Sequence, residues 1–196
     1  MLKSAVISPC GRFRYRLDRH TQGATHKVLW VMLNPSTADH EKDDPTIRKC
    51  IGFTERLGFK SLMVGNLAAL RTPHPKELLA ALRRGDDIAG PDNVQHLREM
   101  FQEATVVIAA WGMHGAALMH LIGHVDGLAW SFGRDTLYLG RCANQHPRHP
   151  LMVGYQDGLM QMAVPPREWG RSSLNPSSEL LKKMLTNMAS LRGEVV

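Results

Sequence analysis

The feature that most constrains the fold of this chain is a short apolar run that ends in a polar turn. Residues Val28 to Leu33 carry only apolar side chains, and Asn34 and Pro35 follow directly. Such a run predicts a strand buried on both faces, which is typical of a parallel sheet. Ligands of these sheets bind just beyond the carboxyl ends of the strands, where Asn34 stands on a turn that Pro35 stiffens. The alternative is an ordinary turn, since Asn and Pro are common turn residues.

Strands and helices alternate along the rest of the chain. Continuous apolar runs predict further buried strands at residues 61–67, 105–110 and 136–139. Helical spacing of apolar side chains predicts helices at residues 45–57, 76–84, 92–103 and 116–123. Asp44 is the candidate cap of the first helix, and alternating basic and apolar side chains at residues 12–18 indicate a half-buried strand. This order predicts the α/β class: a three-layer α/β/α sandwich around a central, mainly parallel, four-stranded sheet.

The length of the chain limits the number of domains. Its 196 residues suffice for one domain with a substantial core, but not comfortably for two. We expect a single domain from residue 1 to residue 170. Beyond Trp169 the composition shifts to Ser, Asn and Pro, so residues 171–196 are expected to form a C-terminal tail. Residues 180–191 of this tail have the pattern of an amphipathic helix, either packed on the domain or partly mobile.

Charge and cysteine content narrow the classes of partner and location. The formal net charge of +6 favours a polyanionic partner such as nucleic acid, although many basic proteins bind none. No apolar run is long enough to cross a bilayer and the N-terminus lacks a signal-peptide core, so we expect no membrane contact and a cytoplasmic location. The three cysteines lie far apart and form no paired motif, so we expect no disulfide framework, metal or other cofactor.

Short motifs follow the predicted strands in a fixed order: MLNPS, GNLAALRTP, VVIAAWG and NQHPRHPL. In this order they resemble the motifs of the uracil-DNA glycosylase superfamily. MLNPS is similar to the GINPG motif of its mismatch-specific branch, and NQHPRHPL is similar to its late HPS-type loop. Together with the segment DDPTIRKC, they resemble an uncharacterised bacterial and phage-associated branch of that superfamily. The resemblance covers residues 28–153.

The chain also departs from these motifs. Met32 and Ser36 stand where the mismatch-specific motif has glycine, and Arg148 stands where serine is usual in the late loop. The iron–sulfur branch of the superfamily needs four cysteines, whereas this chain has three. These differences bear on substrate and chemistry more than on the fold.

The resemblance implies a hydrolase, a monofunctional DNA N-glycosylase that removes a base and leaves an abasic site. Asn34 would orient the attacking water through its amide oxygen. Its contribution would be positioning, because an amide does not titrate near neutrality. His146 would donate a hydrogen bond to the carbonyl oxygen of the leaving base, which is typically worth about 10² to 10³ in rate. The alternative for His146 is a histidine with no role beyond its turn.

The same resemblance implies a pocket for one base that has been taken out of the DNA helix. Asn66 would read the edge of this base with the donor and acceptor of its amide, or would satisfy backbone groups at its strand end. Phe53 would stack on the base, or would belong to the core because of its helical spacing from Leu57. Ser36 is small where the strict uracil-removing branch has a tyrosine that blocks the pyrimidine 5-position. We therefore expect a 5-modified pyrimidine, such as the bulky bases of some phage genomes.

Basic side chains near these motifs are expected to bind the phosphates of double- or single-stranded DNA, namely Arg71, His74, Arg141 and Arg148. We expect a monomer whose role is antiviral defence against modified DNA, with repair of the host genome as the other possibility. Two further functions stay open at this stage. One is a non-catalytic nucleic-acid-binding module of the same fold. The other is a hydrolase of modified nucleosides or nucleotides.

Overall fold

The computed structural model describes residues 1–134 and 136–156, and within them a single mixed sheet. Its strands are β1 (Leu2–Ile7), β2 (Arg14–His20), β3 (Val28–Met32), β4 (Ser61–Asn66), β5 (Val106–Ala109) and β6 (Thr136–Tyr138). They lie in the order β1-β2-β4-β3-β5-β6. The four strands from β4 to β6 in this order are parallel, whereas β1 and β2 join by antiparallel pairing. The α/β class is confirmed, but a four-stranded sheet is wrong, since two antiparallel strands extend one side.

The two antiparallel strands differ in how strongly their sequences are patterned. β2 contains most of the predicted segment at residues 12–18, and its Leu17 is fully buried opposite Val64 of β4. β1 lies at the sheet edge, and its side chains are exposed or only partly buried. A strand without a buried face leaves no apolar periodicity in the sequence. This is why the sequence did not predict β1.

The α-helices of the described residues are α1 (Pro45–Arg56), α2 (Pro75–Arg84), α3 (Asn93–Glu103) and α4 (Met119–Ser131). Asp44 caps α1 as expected, because its Oδ1 accepts a hydrogen bond from the Ile47 backbone N–H at 2.9 Å. Residues 116–123 are helical as expected, but the helical segment extends beyond both of the expected ends. A 3₁₀ helix occupies Met113–Leu118, and α4 continues to Ser131. Gly115 of the 3₁₀ helix packs so closely on the Trp111 indole that a Cβ at this position would collide with the ring.

Helices cover both faces of the sheet, so that two separate cores form. Leu29 and Val31 of β3 belong to the core shared with α2, α3 and α4. Trp30 points to the opposite face, where it packs against Phe53 of α1. Burying one side chain of this kind contributes roughly 1.5–3 kcal/mol. β3 is thus buried on both faces, as its continuous apolar run predicts, and its carboxyl end lies in the middle of the sheet.

Two further expectations concern the C-terminal tail and the absence of a membrane-spanning segment. The expected C-terminal tail and its helix at residues 180–191 lie outside the described residues. Among the helices that are described, none combines the length and the apolar composition that crossing a bilayer requires.

Candidate functional site

A cavity of about 770 Å³ opens beyond the carboxyl ends of the parallel strands. Asn66 is the last residue of β4 and pairs in register with Met32, the last residue of β3. Asn34 follows two residues later, so the adjacent ends of two parallel strands bring both amides to one cavity. Its other polar lining residues include Arg14, Ser36, Thr37, Asp44, Thr46, Thr72, His114, Cys142, Arg148 and His149. The apolar part of the wall includes Met32, Leu33, Trp111, Met113, Leu151 and Met152.

The amide of Asn34 is held in one orientation. Its Nδ2 donates to the Thr72 carbonyl oxygen at 2.9 Å, to Thr72 Oγ1 at 3.1 Å and to the Pro35 carbonyl oxygen at 3.1 Å. Because carbonyl oxygens only accept hydrogen bonds, the NH₂ end of the amide must face them. The amide oxygen points the other way and accepts no hydrogen bond from the described residues. Asn34 can therefore offer an acceptor of fixed direction to a molecule in the cavity.

The amide of Asn66 has the opposite character. Its side chain is almost completely buried, with 1% of the residue exposed. Neither Nδ2 nor Oδ1 has a hydrogen-bond partner among the described residues, while the backbone oxygen accepts from Asn93 Nδ2 at 3.1 Å. An unsatisfied buried polar group costs about 1–3 kcal/mol, so it calls for a partner that the described residues do not supply. A ligand edge with one acceptor and one donor would satisfy both ends.

Two histidines follow β6, and they take different positions. His146 is buried and does not line the cavity; its Nδ1 accepts from the Trp111 indole N–H at 3.3 Å. His149 does line the cavity, and its Nδ1 accepts from the Leu151 backbone N–H at 3.3 Å. A neutral His149 therefore carries its proton on Nε2. Burial lowers the pKa of both imidazoles, and the negative charge of Asp44 partly opposes this effect at His149.

Sequence reasoning selected the His-Pro dipeptide at His146, whereas the histidine that lines the cavity is His149. The stretch NQHPRHPL contains His-Pro twice, once at His146 and once at His149. A single chain gives no rule for choosing between two such dipeptides. The repetition was the available signal, and it should have placed both histidines among the candidates.

Two charged residues of the cavity were not among the predicted site residues. Arg14 of β2 is 3% exposed, and its Nη1 donates to the Ala38 carbonyl oxygen at 2.8 Å. Burial lowers the Arg14 pKa to about 10, with the carboxylate of Asp44 acting in the opposite direction. Asp44 lines the cavity as well as capping α1. The sequence indicated only a strand residue at Arg14 and a helix cap at Asp44. It gave no sign that both would line one cavity.

The predicted base-binding residues separate into two groups. Ser36 lines the cavity beside Asn34, as Asn66 does. Phe53 does not line it, and its side chain is fully buried against Trp30, with ring centroids 6.1 Å apart. The cavity reaches only the first turn of α1, whereas Phe53 lies two turns further along the helix. Its placement matches the core alternative that its helical spacing suggested.

The predicted phosphate-binding residues lie at and beside the cavity. Arg148 lines the cavity, and its Nε donates to the Arg141 carbonyl oxygen at 2.9 Å. Arg141 does not line it; its Nε donates to the Tyr138 hydroxyl at 3.2 Å. Arg71 and the exposed His74 flank Thr72, a lining residue, without lining the cavity themselves. Of the four predicted phosphate-binding residues, Arg148 alone therefore lines the cavity.

Within residues 1–134 and 136–156, no three His, Cys, Asp or Glu side chains come together as a metal-binding group. The fold and the cavity are those of an α/β protein with a candidate ligand site at the carboxyl edge of its parallel strands. The chain belongs to the DUF1643 family, described as a protein of unknown function, which it matches over residues 14–151. This range begins and ends at residues of the cavity wall. Comparisons with curated proteins and with solved structures find no match.

Proposed function

We propose that this protein is a DNA base glycosylase of the uracil-DNA glycosylase type, which hydrolyses the N-glycosidic bond of a flipped-out pyrimidine. The observation that carries the proposal is the buried amide of Asn66, which has no partner among the described residues and lines the same cavity as Asn34. A pyrimidine edge presents the adjacent donor and acceptor groups that such an amide needs. The helices on both faces of a parallel sheet and the order of the four motifs support a fold of the same type.

The fixed orientation of Asn34 supports the hydrolytic step. Its NH₂ group is occupied by Thr72 and Pro35, so the amide oxygen is the end available to a water molecule. In the proposed reaction this oxygen accepts a hydrogen bond from the water and aims it at the anomeric carbon. Positioning of this kind can supply a large part of a barrier without any proton transfer to the amide.

His149 is the donor that we propose for the leaving base. Its Nδ1 accepts a hydrogen bond from the Leu151 N–H, so the neutral ring carries its own N–H on Nε2. Because His149 lines the cavity, this N–H is the proposed donor to a base bound there. Burial lowers the His149 pKa and so favours the neutral form of the ring. A donor placed where negative charge develops typically contributes about 10² to 10³ in rate. His146 would then act through the Trp111 indole, with which it shares a hydrogen bond.

The size of the cavity favours a base that carries a substituent. Its volume of about 770 Å³ lies in the upper part of the range of roughly 300–1,000 Å³ for small-molecule sites. Ser36, which has a small side chain, lines the wall beside Asn34. We therefore propose a 5-modified pyrimidine as the substrate, and defence against phage with modified DNA as the role. Extrusion of the base costs a few kcal/mol, which Arg71, Arg148 and other cations near the cavity would offset by holding the phosphates.

An oligonucleotide cleavage assay tests the proposal. Labelled duplex and single-stranded DNA would each carry one uracil, one mismatched thymine, one 5-hydroxymethylcytosine or one glucosylated 5-hydroxymethylcytosine. After incubation with the full chain, alkali reveals abasic sites as strand breaks. We expect breaks at a 5-modified base, and a loss of at least about 10²-fold in Asn34→Ala with DNA affinity almost unchanged.

The remaining outcomes separate the alternatives. DNA binding without breaks at any base would contradict catalysis and favour a binding module. Release of the base from free modified nucleosides, but not from DNA, would indicate a nucleoside hydrolase. Activity restricted to plain uracil would refute the 5-modified substrate and leave the glycosylase reaction standing.

A further inference from the structure

Asp44 is the one carboxylate among the residues that line the cavity in the described part of the chain. Its Oδ1 accepts the capping hydrogen bond from the Ile47 N–H. Its other carboxylate oxygen accepts no hydrogen bond from the described residues, and the whole residue is 9% exposed. The buried, unpartnered amide of Asn66 lines the same space. A helix cap needs one oxygen and no cavity, so the second oxygen has no hydrogen-bonding task among the described residues.

The loop that carries Asp44 is held rigidly. It begins at Asn34 and ends at Asp44, so both ends of one loop meet at the cavity. Arg14 Nη1 binds the Ala38 carbonyl oxygen at 2.8 Å from inside the fold. The fully buried Arg19 binds the Asp39 carbonyl oxygen through Nη2 and Asp43 Oδ1 through Nε, each at 2.6 Å. The position of the carboxylate is therefore fixed before any ligand enters.

The charges around Asp44 are complementary to a hydrolytic site. Its negative charge raises the pKa values of Arg14 and His149, partly opposing the lowering that burial causes at both residues. Asn34, by contrast, has no proton-accepting group at neutral pH. A water oriented only by an amide keeps both of its protons as it attacks, which is unfavourable. A carboxylate within the same cavity removes this obstacle.

We propose that Asp44 is a second catalytic residue of the cavity, the carboxylate that accepts the proton of the water oriented by Asn34. This inference rests on the proposed glycosylase function. The water oxygen forms a bond to the anomeric carbon while the bond from that carbon to the base nitrogen breaks. The electron pair of the broken bond leaves with the base. One water proton passes to Asp44, which returns it to solvent. The departing base anion receives a hydrogen bond from His149 Nε2–H and is protonated from solvent.

Asp44→Asn separates the two tasks of this residue. Asparagine is as good a helix cap as aspartate, so the melting temperature should stay unchanged while the proton acceptor is lost. We expect kcat for the modified oligonucleotide to fall by about 10² to 10⁴-fold. Asp44→Ala should lose the cap as well and therefore melt at a lower temperature.

Asp39→Asn is the matched control for charge. Asp39 lies on the same loop, binds the backbone N–H groups of Glu41 and Lys42 through Oδ1, and does not line the cavity. The control should keep kcat within a factor of about three. An equal loss in both variants would mean that the total negative charge of the loop matters and not the position of one carboxylate, and would overturn the assignment to Asp44.

A binding measurement provides a readout that does not need turnover. Duplex DNA with a pyrrolidine in place of one sugar carries a cation at the anomeric position, and a tetrahydrofuran analogue is its neutral match. The wild-type chain should prefer the cationic duplex, and Asp44→Asn should lose this preference. If the wild type cleaves DNA and Asp44→Asn cleaves it equally fast, the Asp44 proposal fails while the glycosylase stands. If the wild type cleaves no probe, the glycosylase fails, and absence of the cationic preference overturns Asp44 as well.

Discussion

Two asparagines at the ends of neighbouring parallel strands differ in how their side-chain amides are hydrogen-bonded. Asn34 is half-buried, and its NH₂ group donates to Thr72 and to Pro35. Asn66 is almost fully buried, and its side chain has no partner among the described residues. Identical chemistry at adjacent strand ends thus yields one amide that the protein orients and one that it leaves unsatisfied.

The difference indicates two roles in one cavity. An amide with a saturated donor end has a fixed direction and can hold a small molecule such as water. An amide without partners costs folding free energy, about 1–3 kcal/mol, and regains it only when a ligand supplies the missing hydrogen bonds. Natural proteins keep such costs mainly at functional sites. The comparison therefore supports the proposed roles, in which Asn34 positions the water and Asn66 recognises the base.

The same substitution at both positions should have opposite effects on stability, and this is the largest effect that we expect. Asn66→Leu replaces an unsatisfied amide by an apolar side chain with room in the cavity, so it should stabilise the fold by about 1 kcal/mol. Asn34→Leu leaves carbonyl oxygens of Thr72 and Pro35 without their donor, so it should destabilise by about 1–3 kcal/mol. Thermal unfolding of both variants without ligand measures the two signs.

Activity should fall in both variants, because each removes a group that the proposed reaction uses. A stabilised Asn66→Leu that has lost base excision would separate recognition from folding. If Asn66→Leu instead melts at a lower temperature, the Asn66 amide is satisfied in solution, and the comparison with Asn34 breaks down.

Variation of pH tests the imidazole, since neither amide titrates. Burial holds the pKa of His149 below its ordinary value of 6.5, so the unfolded chain binds its proton more readily than the folded chain does. The contribution of this group to stability is complete above pH 6.5 and is lost as pH falls through the lowered pKa. The melting temperature of the wild type should thus fall more steeply between pH 7 and pH 5 than that of His149→Gln.

Other groups titrate in the same window, which is why the variant is needed. Burial also lowers the pKa of His146, and burial raises the pKa of Asp126 to about 6. The raised pKa of Asp126 works in the opposite direction, because the folded chain then binds that proton more readily. Both groups remain in His149→Gln, so only the difference between the two proteins reports on His149. Identical pH profiles would show that its ring is solvated.

The sequence predicted the parts of this molecule whose signals are local. Val28–Met32 is buried on both faces, as its unbroken apolar run indicated, and Asp44 caps α1 as its position before Pro45 indicated. The edge strand Leu2–Ile7 has no buried face and so had no pattern to find. The 3₁₀ helix at Met113–Leu118 includes Gly115, which packs closely on the Trp111 indole, and this packing leaves no apolar periodicity in the sequence.

The residues of the cavity wall divide in the same way, into those with a local signal in the sequence and those without one. Asn34 and Asn66 could be chosen because a strand end is visible in the sequence. Arg14 and Asp44 could not be chosen in this way. They line one cavity only because β2, which carries Arg14, pairs with β4, and the sequence does not display this pairing. The position of His149, rather than His146, on the cavity wall depends on how a turn of several residues folds. A single sequence does not reveal which distant strands pair or how a loop folds.

The smallest expected effect concerns the hydroxyl of Thr72, which shares the donor end of Asn34 with two carbonyl oxygens. Thr72→Val removes Oγ1, 3.1 Å from Asn34 Nδ2, and keeps the Thr72 carbonyl oxygen at 2.9 Å. Two acceptors still remain for the two amide hydrogens, so we expect a cost of only about 0.5–1.5 kcal/mol in stability. The loss in kcat should stay below about tenfold, since each tenfold corresponds to roughly 1.4 kcal/mol of barrier.

Thr105→Val is the matched control, because its hydroxyl lies near Lys27 and His26 and not at the cavity. It should change the melting temperature without changing kcat. A Thr72→Val variant as inactive as Asn34→Ala would mean that the hydroxyl alone orients the amide, and that the backbone carbonyls contribute little. A small loss in Thr72→Val would instead assign the orientation of Asn34 to the backbone of the neighbouring turn, which no side-chain substitution can remove.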